Sequence, residues 1–172
     1  MDVVSSQDLL EVAVRAAHAG GAVLQDWVGR FQFVSCRADL VTEADHASQQ
    51  TIFELISGHF PDHGFLGEEG LDRQSSTSDY RWVIDPLDGT SNYVHGFPYY
   101  AVSIAVEKAG VLQAAVIFDP NRSETFAATR GGEQPSTDSP SLRAAKRSWL
   151  TAWRWPVCRW AQMAAIRLFS GF

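Results

Sequence analysis

Trp82-Val83-Ile84-Asp85-Pro86-Leu87-Asp88-Gly89-Thr90-Ser91-Asn92 is an apolar strand-like run that ends in two carboxylates, three residues apart, beside a proline and a glycine. The residues after Ile84 read as a turn, since Pro presets its own φ and Gly supplies positive φ. Just upstream, Gly67-Glu68-Glu69-Gly70 places two more carboxylates on a second turn. Oxygen ligands held this densely on turns suit a hard cation such as Mg²⁺, which takes a few carboxylates, a carbonyl and several waters. Asp85, Asp88, the Leu87 carbonyl and Glu68 are the candidate ligands. The Thr90 hydroxyl and the Gly89 N–H beside them could serve a phosphate, the more so if a helix begins there. Metal-assisted phosphoester hydrolysis is the chemistry these residues suggest, with the cation polarising a phosphoryl oxygen and acidifying a bound water.

Each piece also has a plainer reading. Asp-Gly is a common turn signal, Gly-Glu-Glu-Gly is an ordinary solvated loop, and Asp45 alone reads as a helix cap or surface charge. Their ordered combination carries the chemistry. The five histidines, His18, His46, His59, His63 and His95, show no zinc-type spacing.

The rest of the chain frames these turns. Ser5 with Asp8 reads as a capping box, and Leu9, Val12, Ala13, Ala16, Val23, Leu24 and Trp27 keep helical spacing to a stop at Gly29. Arg30 to Leu40 is expected to be extended or loop. Thr42 with Asp45 repeats the cap pattern before a second helix whose face is Ala44, Ser48, Ile52, Leu55, Ile56 and Phe60, stopped by Pro61. Phe65-Leu66 reads as a short strand, Asp72–Asp79 as a mobile polar linker, and Tyr80–Ile84 as the next strand. Strands around Val102–Val106, Val111–Phe118 and Thr125–Ala128 follow on short turns, an antiparallel meander. Two helices followed by strands predict an α+β fold, helices packed on a largely antiparallel sheet.

At 172 residues, 45% of them apolar, the chain can bury one sizeable core. Its net charge of −6 argues against a nucleic-acid or membrane partner. Cys36 and Cys158 make no disulfide framework, and the first residues lack a basic, apolar leader, so the expected compartment is the reducing cytoplasm. Composition breaks near Gly131-Gly132. Residues 1–132 hold 18 acids against 8 bases, whereas residues 133–172 hold 2 against 6 and four of the six tryptophans. The organisation expected from this is a domain over 1–132 and an atypical Trp/Arg-rich tail over 133–172, for which translation out of the ancestral frame is the hypothesis.

The motifs together resemble the inositol monophosphatase family of Mg²⁺-dependent, lithium-sensitive phosphatases. The resemblance rests on Asp39-Leu40-Val41-Thr42-Glu43-Ala44-Asp45, Phe65-Leu66-Gly67-Glu68-Glu69 and Trp82 through Tyr93, followed by Phe97-Pro98 and Ala101–Ala105. It implies a layered α/β sandwich and a frequently homodimeric protein. It also implies Glu68, Asp85, Asp88 and the Leu87 carbonyl as Mg²⁺ ligands. Gly89 and Thr90 would hold the phosphate beside Leu87 and Asp88, and Asp45 and Thr90, helped by Glu68, would orient the attacking water. Family chains continue into a second half with a Trp-Asp-x-Ala-Ala-Gly motif that supplies a further ligand and the residues that select the sugar. That half is expected to be missing here, leaving one sheet face uncovered and turnover very low. The expected substrate is inositol monophosphate or a related sugar phosphate. Fructose bisphosphate, histidinol phosphate and phosphoadenosine phosphate stay open as substrates, as do a non-catalytic remnant and an interaction module.

Overall fold

In a computed structural model, the structure describes residues 4–28, 37–131 and 142–144, with only the backbone described for 37–42 and 142–144. The helix stop expected at Gly29, the segment 30–36 and most of the 133–172 tail lie outside the described residues.

Helix α1 spans Ser6–Val28. Its capping box forms as the spacing predicts: the Asp8 N–H donates to Ser5 Oγ at 3.1 Å and the Ser5 N–H to Asp8 Oδ2 at 3.2 Å. Helix α2 spans Arg37–His59 and so starts before the expected Thr42 cap, which lies inside it. The extended reading of Arg30–Leu40 is therefore corrected from Arg37 onward. No Gly or Pro interrupts residues 37–57, and Ala38, Leu40 and Glu43 are good helix formers. The two helices approach closely at Gly20, where a Cβ would meet Ile52 at 2.7 Å and Ser48 Oγ at 2.9 Å.

Strands β1 (Gly64–Gly67), β2 (Asp72–Arg73) and β3 (Tyr80–Asp88) come next. A short helix α3 (Thr90–His95) precedes β4 (Ala101–Lys108), β5 (Val111–Asp119), β6 (Glu124–Thr129) and β7 (Leu142–Ala144). They form one sheet in the order β2-β1-β3-β4-β5-β6-β7. The β4-β5-β6 meander is as expected, and its turns carry the expected chemistry. Ala109 and Gly110 both take positive φ, 48° and 76°, which suits a tight hairpin. Asp119 Oδ1 accepts the Asn121 and Arg122 N–H groups at 2.9 and 3.1 Å.

Two expectations about the strands change. The linker Asp72–Asp79 contributes β2, antiparallel to β1, and Ser75 Oγ pins it by accepting the Thr77 and Ser78 N–H groups. Strand β3 does not stop at Ile84 but runs on through both carboxylates to Asp88. The sheet is largely antiparallel, as expected, with β1 parallel to β3 and β7 to β6 at its two sides.

Both helices lie on one face of the sheet. Under them, the cross-strand rows Trp82-Val106-Ala114-Thr129 and Ile84-Ile104-Val116-Ala127 are buried throughout. Leu9, Leu10, Leu24, Ile52 and Ile56 close the core from the helix side. The opposite face carries Val83, Ala115, Ile117, Phe126 and Ala128, all only half-buried. No helix among the described residues is long and apolar enough to cross a membrane.

Candidate active site

Parallel pairing of β1 with β3 builds the site. Gly67 stands opposite Ile84, so the next residues, Glu68 and Asp85, leave the same edge side by side, and the Glu68 N–H still donates to the Ile84 carbonyl at 3.2 Å. In an antiparallel pair these strand ends would lie at opposite edges.

Asp85 and Asp88 are brought together by a β-bulge rather than by a turn. Asp85 pairs with Ser103 and Asp88 with Ala101, so three steps along β3 match two along β4. Residues three apart on a regular strand face opposite ways; one extra residue returns them to the same side. Pro86, with no N–H to give the ladder, sits in the bulge. Both carboxylates are 8% exposed and Leu87 1%.

Beyond the bulge the chain turns into α3. Gly89 takes φ 93°, and a Cβ there would meet the Tyr99 carbonyl at 2.8 Å. The Thr90 hydroxyl donates to the Leu87 carbonyl at 3.0 Å, placing these two predicted site groups in contact. The Tyr93 hydroxyl donates to the Leu24 carbonyl at 2.6 Å and ties α3 to α1. Burial pushes the Tyr93 phenol well above its ordinary range.

Asp45 reaches the site from α2. It is 5% exposed, and its Oδ1 finds no hydrogen-bond partner among the described residues. Burial, then the charges of Glu69, Asp85 and Glu68, push its carboxyl up to about 8, and a hydrogen bond with Glu69 adds to this. Hydrogen bonds from Ser48 to Pro86 and between Gln49 and Glu69, one turn further along α2, place α2 against the β3 bulge and the β1 end. Glu68 itself is exposed.

Sequence reading passed over three neighbours. Gln49 Nε2 donates to the Glu69 carbonyl and Gln49 Oε1 accepts the Glu69 N–H, both at 3.2 Å. Ser48 Oγ donates to the Pro86 carbonyl at 3.3 Å. His46 Nε2 lies 3.6 Å from Glu69 Oε2. The signal was present: Ser48 and Gln49 follow Asp45 by three and four residues, the spacing that shares a helix face.

The donor set fits a hard divalent cation in its chemistry: carboxylate oxygens, a carbonyl, and a buried oxygen with no donor of its own. Among the described residues no three carboxylate, histidine or cysteine side chains form a closed cation cage.

The inositol monophosphatase family model matches residues 5–154. Nus factor SuhB of Pseudomonas aeruginosa is 43% identical over 131 residues, 73% of this chain and 48% of that protein. An inositol-1-monophosphatase of Rhizobium meliloti is 39% identical over 128 residues, 72% of this chain and 48% of the relative. The solved inositol monophosphatase of Anabaena (Nostoc) superposes with a TM-score of 0.63 at 42% identity, over 73% of this chain and 45% of that one. The chain spans about half the length of these relatives. Family model, sequence identity and fold agree, and the chain belongs to the inositol monophosphatase family.

Proposed function

We propose that this chain carries a site for Mg²⁺-dependent hydrolysis of a phosphomonoester, inositol monophosphate or a related sugar phosphate. The supporting observation is the convergence of Glu68, the bulged Asp85-Pro86-Leu87-Asp88 and the buried Asp45 from three separate elements. Glu68, Asp85, Asp88 and the Leu87 carbonyl would hold the cation. When bound, it would neutralise phosphoryl charge and acidify a water.

The remaining roles fall to the chain's own groups. Thr90 Oγ1 gives its proton to the Leu87 carbonyl, which leaves its oxygen to accept a hydrogen bond from an attacking water. Asp45 Oδ1, buried and without a donor, is a second acceptor for that water. Two acceptors fix the water's orientation for in-line attack at phosphorus. The Gly89 and Thr90 N–H groups at the start of α3 supply donors to the phosphate. The water oxygen bonds to phosphorus as the ester P–O bond breaks, and the proton that the water gives up passes through solvent to the leaving alkoxide, leaving the alcohol and phosphate.

The test is Mg²⁺-dependent phosphate release from inositol monophosphate, run beside Mn²⁺ binding followed by the EPR signal of the free ion. Binding and release, both lost in Asp88→Asn, are the expected results. Absence of cation binding would sink the reading. Binding without release would favour the alternative of a retained but non-catalytic site.

A further inference from the structure

We infer that Gln49 is a positioning residue that, with Ser48, uses helix α2 as a ruler to set the carboxylate segments of β1 and β3 opposite Asp45. This rests on the phosphatase reading of the same site.

Gln49 is 7% exposed and Ser48 is fully buried. Neither spends its polar atoms on its own helix. The Gln49 carboxamide binds both backbone groups of Glu69, copying the paired donor and acceptor of a neighbouring strand where the β1–β3 ladder has ended. Ser48 holds the Pro86 carbonyl, inside the bulge between Asp85 and Asp88. His46 meets the Glu69 carboxylate from outside. Within five residues of α2, 45–49, lie Asp45 and three side chains that touch one or other carboxylate segment.

A helix turn is rigid, with a rise of about 1.5 Å per residue. Fixing Glu69 and Pro86 to this turn fixes the carboxylates of Glu68 and Asp85 relative to Asp45. Without the grip, mutual repulsion would let the 68–70 segment, exposed at Glu68 and Gly70, swing away. The sequence makes room for the device at Gly67, where a Cβ would overlap Gln49 Oε1. Any side chain at 67 would expel the carboxamide from its seat.

The experiment measures Mn²⁺ affinity by EPR, with the cation-free melting temperature alongside, for the full chain and for Gln49→Ala, Gly67→Ala and the double variant. Outer-sphere partners of this kind typically change cation affinity by 10- to 100-fold. Expected is a loss of about tenfold or more in each single variant, and no further loss in the double variant, since Gly67→Ala acts by displacing Gln49. If Gln49→Ala melts below the assay temperature, Gln49→Met keeps the buried volume and carries the same expectation. Wild-type Mn²⁺ affinity in the folded Gln49 variants, while Asp88→Asn has lost binding, overturns this inference alone. Failure of the unaltered chain to bind Mn²⁺ overturns both this inference and the phosphatase reading.

Discussion

Asp85 and Asp88 stand three residues apart in the chain yet pair with Ser103 and Ala101, which stand two apart. That mismatch gives the two carboxylates a common side and leaves Leu87 buried between them. Asp88→Asn removes one charge from this pair while keeping its shape. We expect cation affinity to fall by roughly tenfold or more with the far-ultraviolet circular dichroism unchanged. An unaltered affinity would remove Asp88 from the ligand set.

Gly89 is the position where backbone and packing both demand glycine. Its φ of 93° and the 2.8 Å from an added Cβ to the Tyr99 carbonyl act together. Gly89→Ala should lower stability by roughly 1–3 kcal/mol, seen as a lower urea midpoint with unchanged slope. A midpoint equal to wild type would show that the loop from α3 to β4 yields without cost.

Tyr93 links the phosphate-side helix α3 to α1 by one buried hydrogen bond, 2.6 Å to the Leu24 carbonyl. Tyr93→Phe keeps the ring against Tyr100 and removes only the hydroxyl. The expected loss is about 1 kcal/mol, measured by chemical denaturation. A stabilised variant would mean that the hydroxyl's desolvation outweighs its bond.

His63 gives the fold a pH dependence remote from the carboxylates. Its ring is stacked between Phe60 and Tyr80, and its Nδ1 accepts the Trp82 indole N–H at 3.0 Å. An acceptor Nδ1 carries no proton, so the ring is the neutral Nε2–H form. Burial pushes this imidazole down to about 4, opposed only weakly by the Asp62 charge. The unfolded chain, with an ordinary histidine near 6.5, binds more protons between these values. Stability from this group is therefore fully present above about pH 6.5 and lost as pH falls towards 4, on the order of 2 kcal/mol. Nuclear magnetic resonance titration of the His63 ring checks it: a midpoint near 6.5 would contradict the packing.

How far the sequence could be read depended on the range of the interaction involved. The capping box at Ser5 and Asp8, the buried face of α2 and the meander turns were legible because each rests on residues within about one turn of one another. The bulge at Pro86 was not. Asp-Pro-x-Asp-Gly satisfies the local rules for a turn, and only pairing with β4 draws it into the strand. The same limit hid β2, whose two residues become a strand solely by lying along β1. It also hid the parallel pairing of β1 with β3, which no local signal encodes.

For the candidate site, residue types and spacing pointed to Glu68, Asp85, Leu87, Asp88, Gly89 and Thr90, and the family resemblance added Asp45. In that order and spacing, carboxylates, carbonyl and hydroxyl suit hard-cation and phosphate chemistry. What only the tertiary structure decided is how they meet. Parallel strands bring Glu68 beside Asp85, a bulge turns Asp88 to the same side, and Gln49 and Ser48 hold both segments to the helix that carries Asp45. Chemical identity is a property of each side chain, while convergence depends on long-range pairing that covers 40 residues between Asp45 and Asp85.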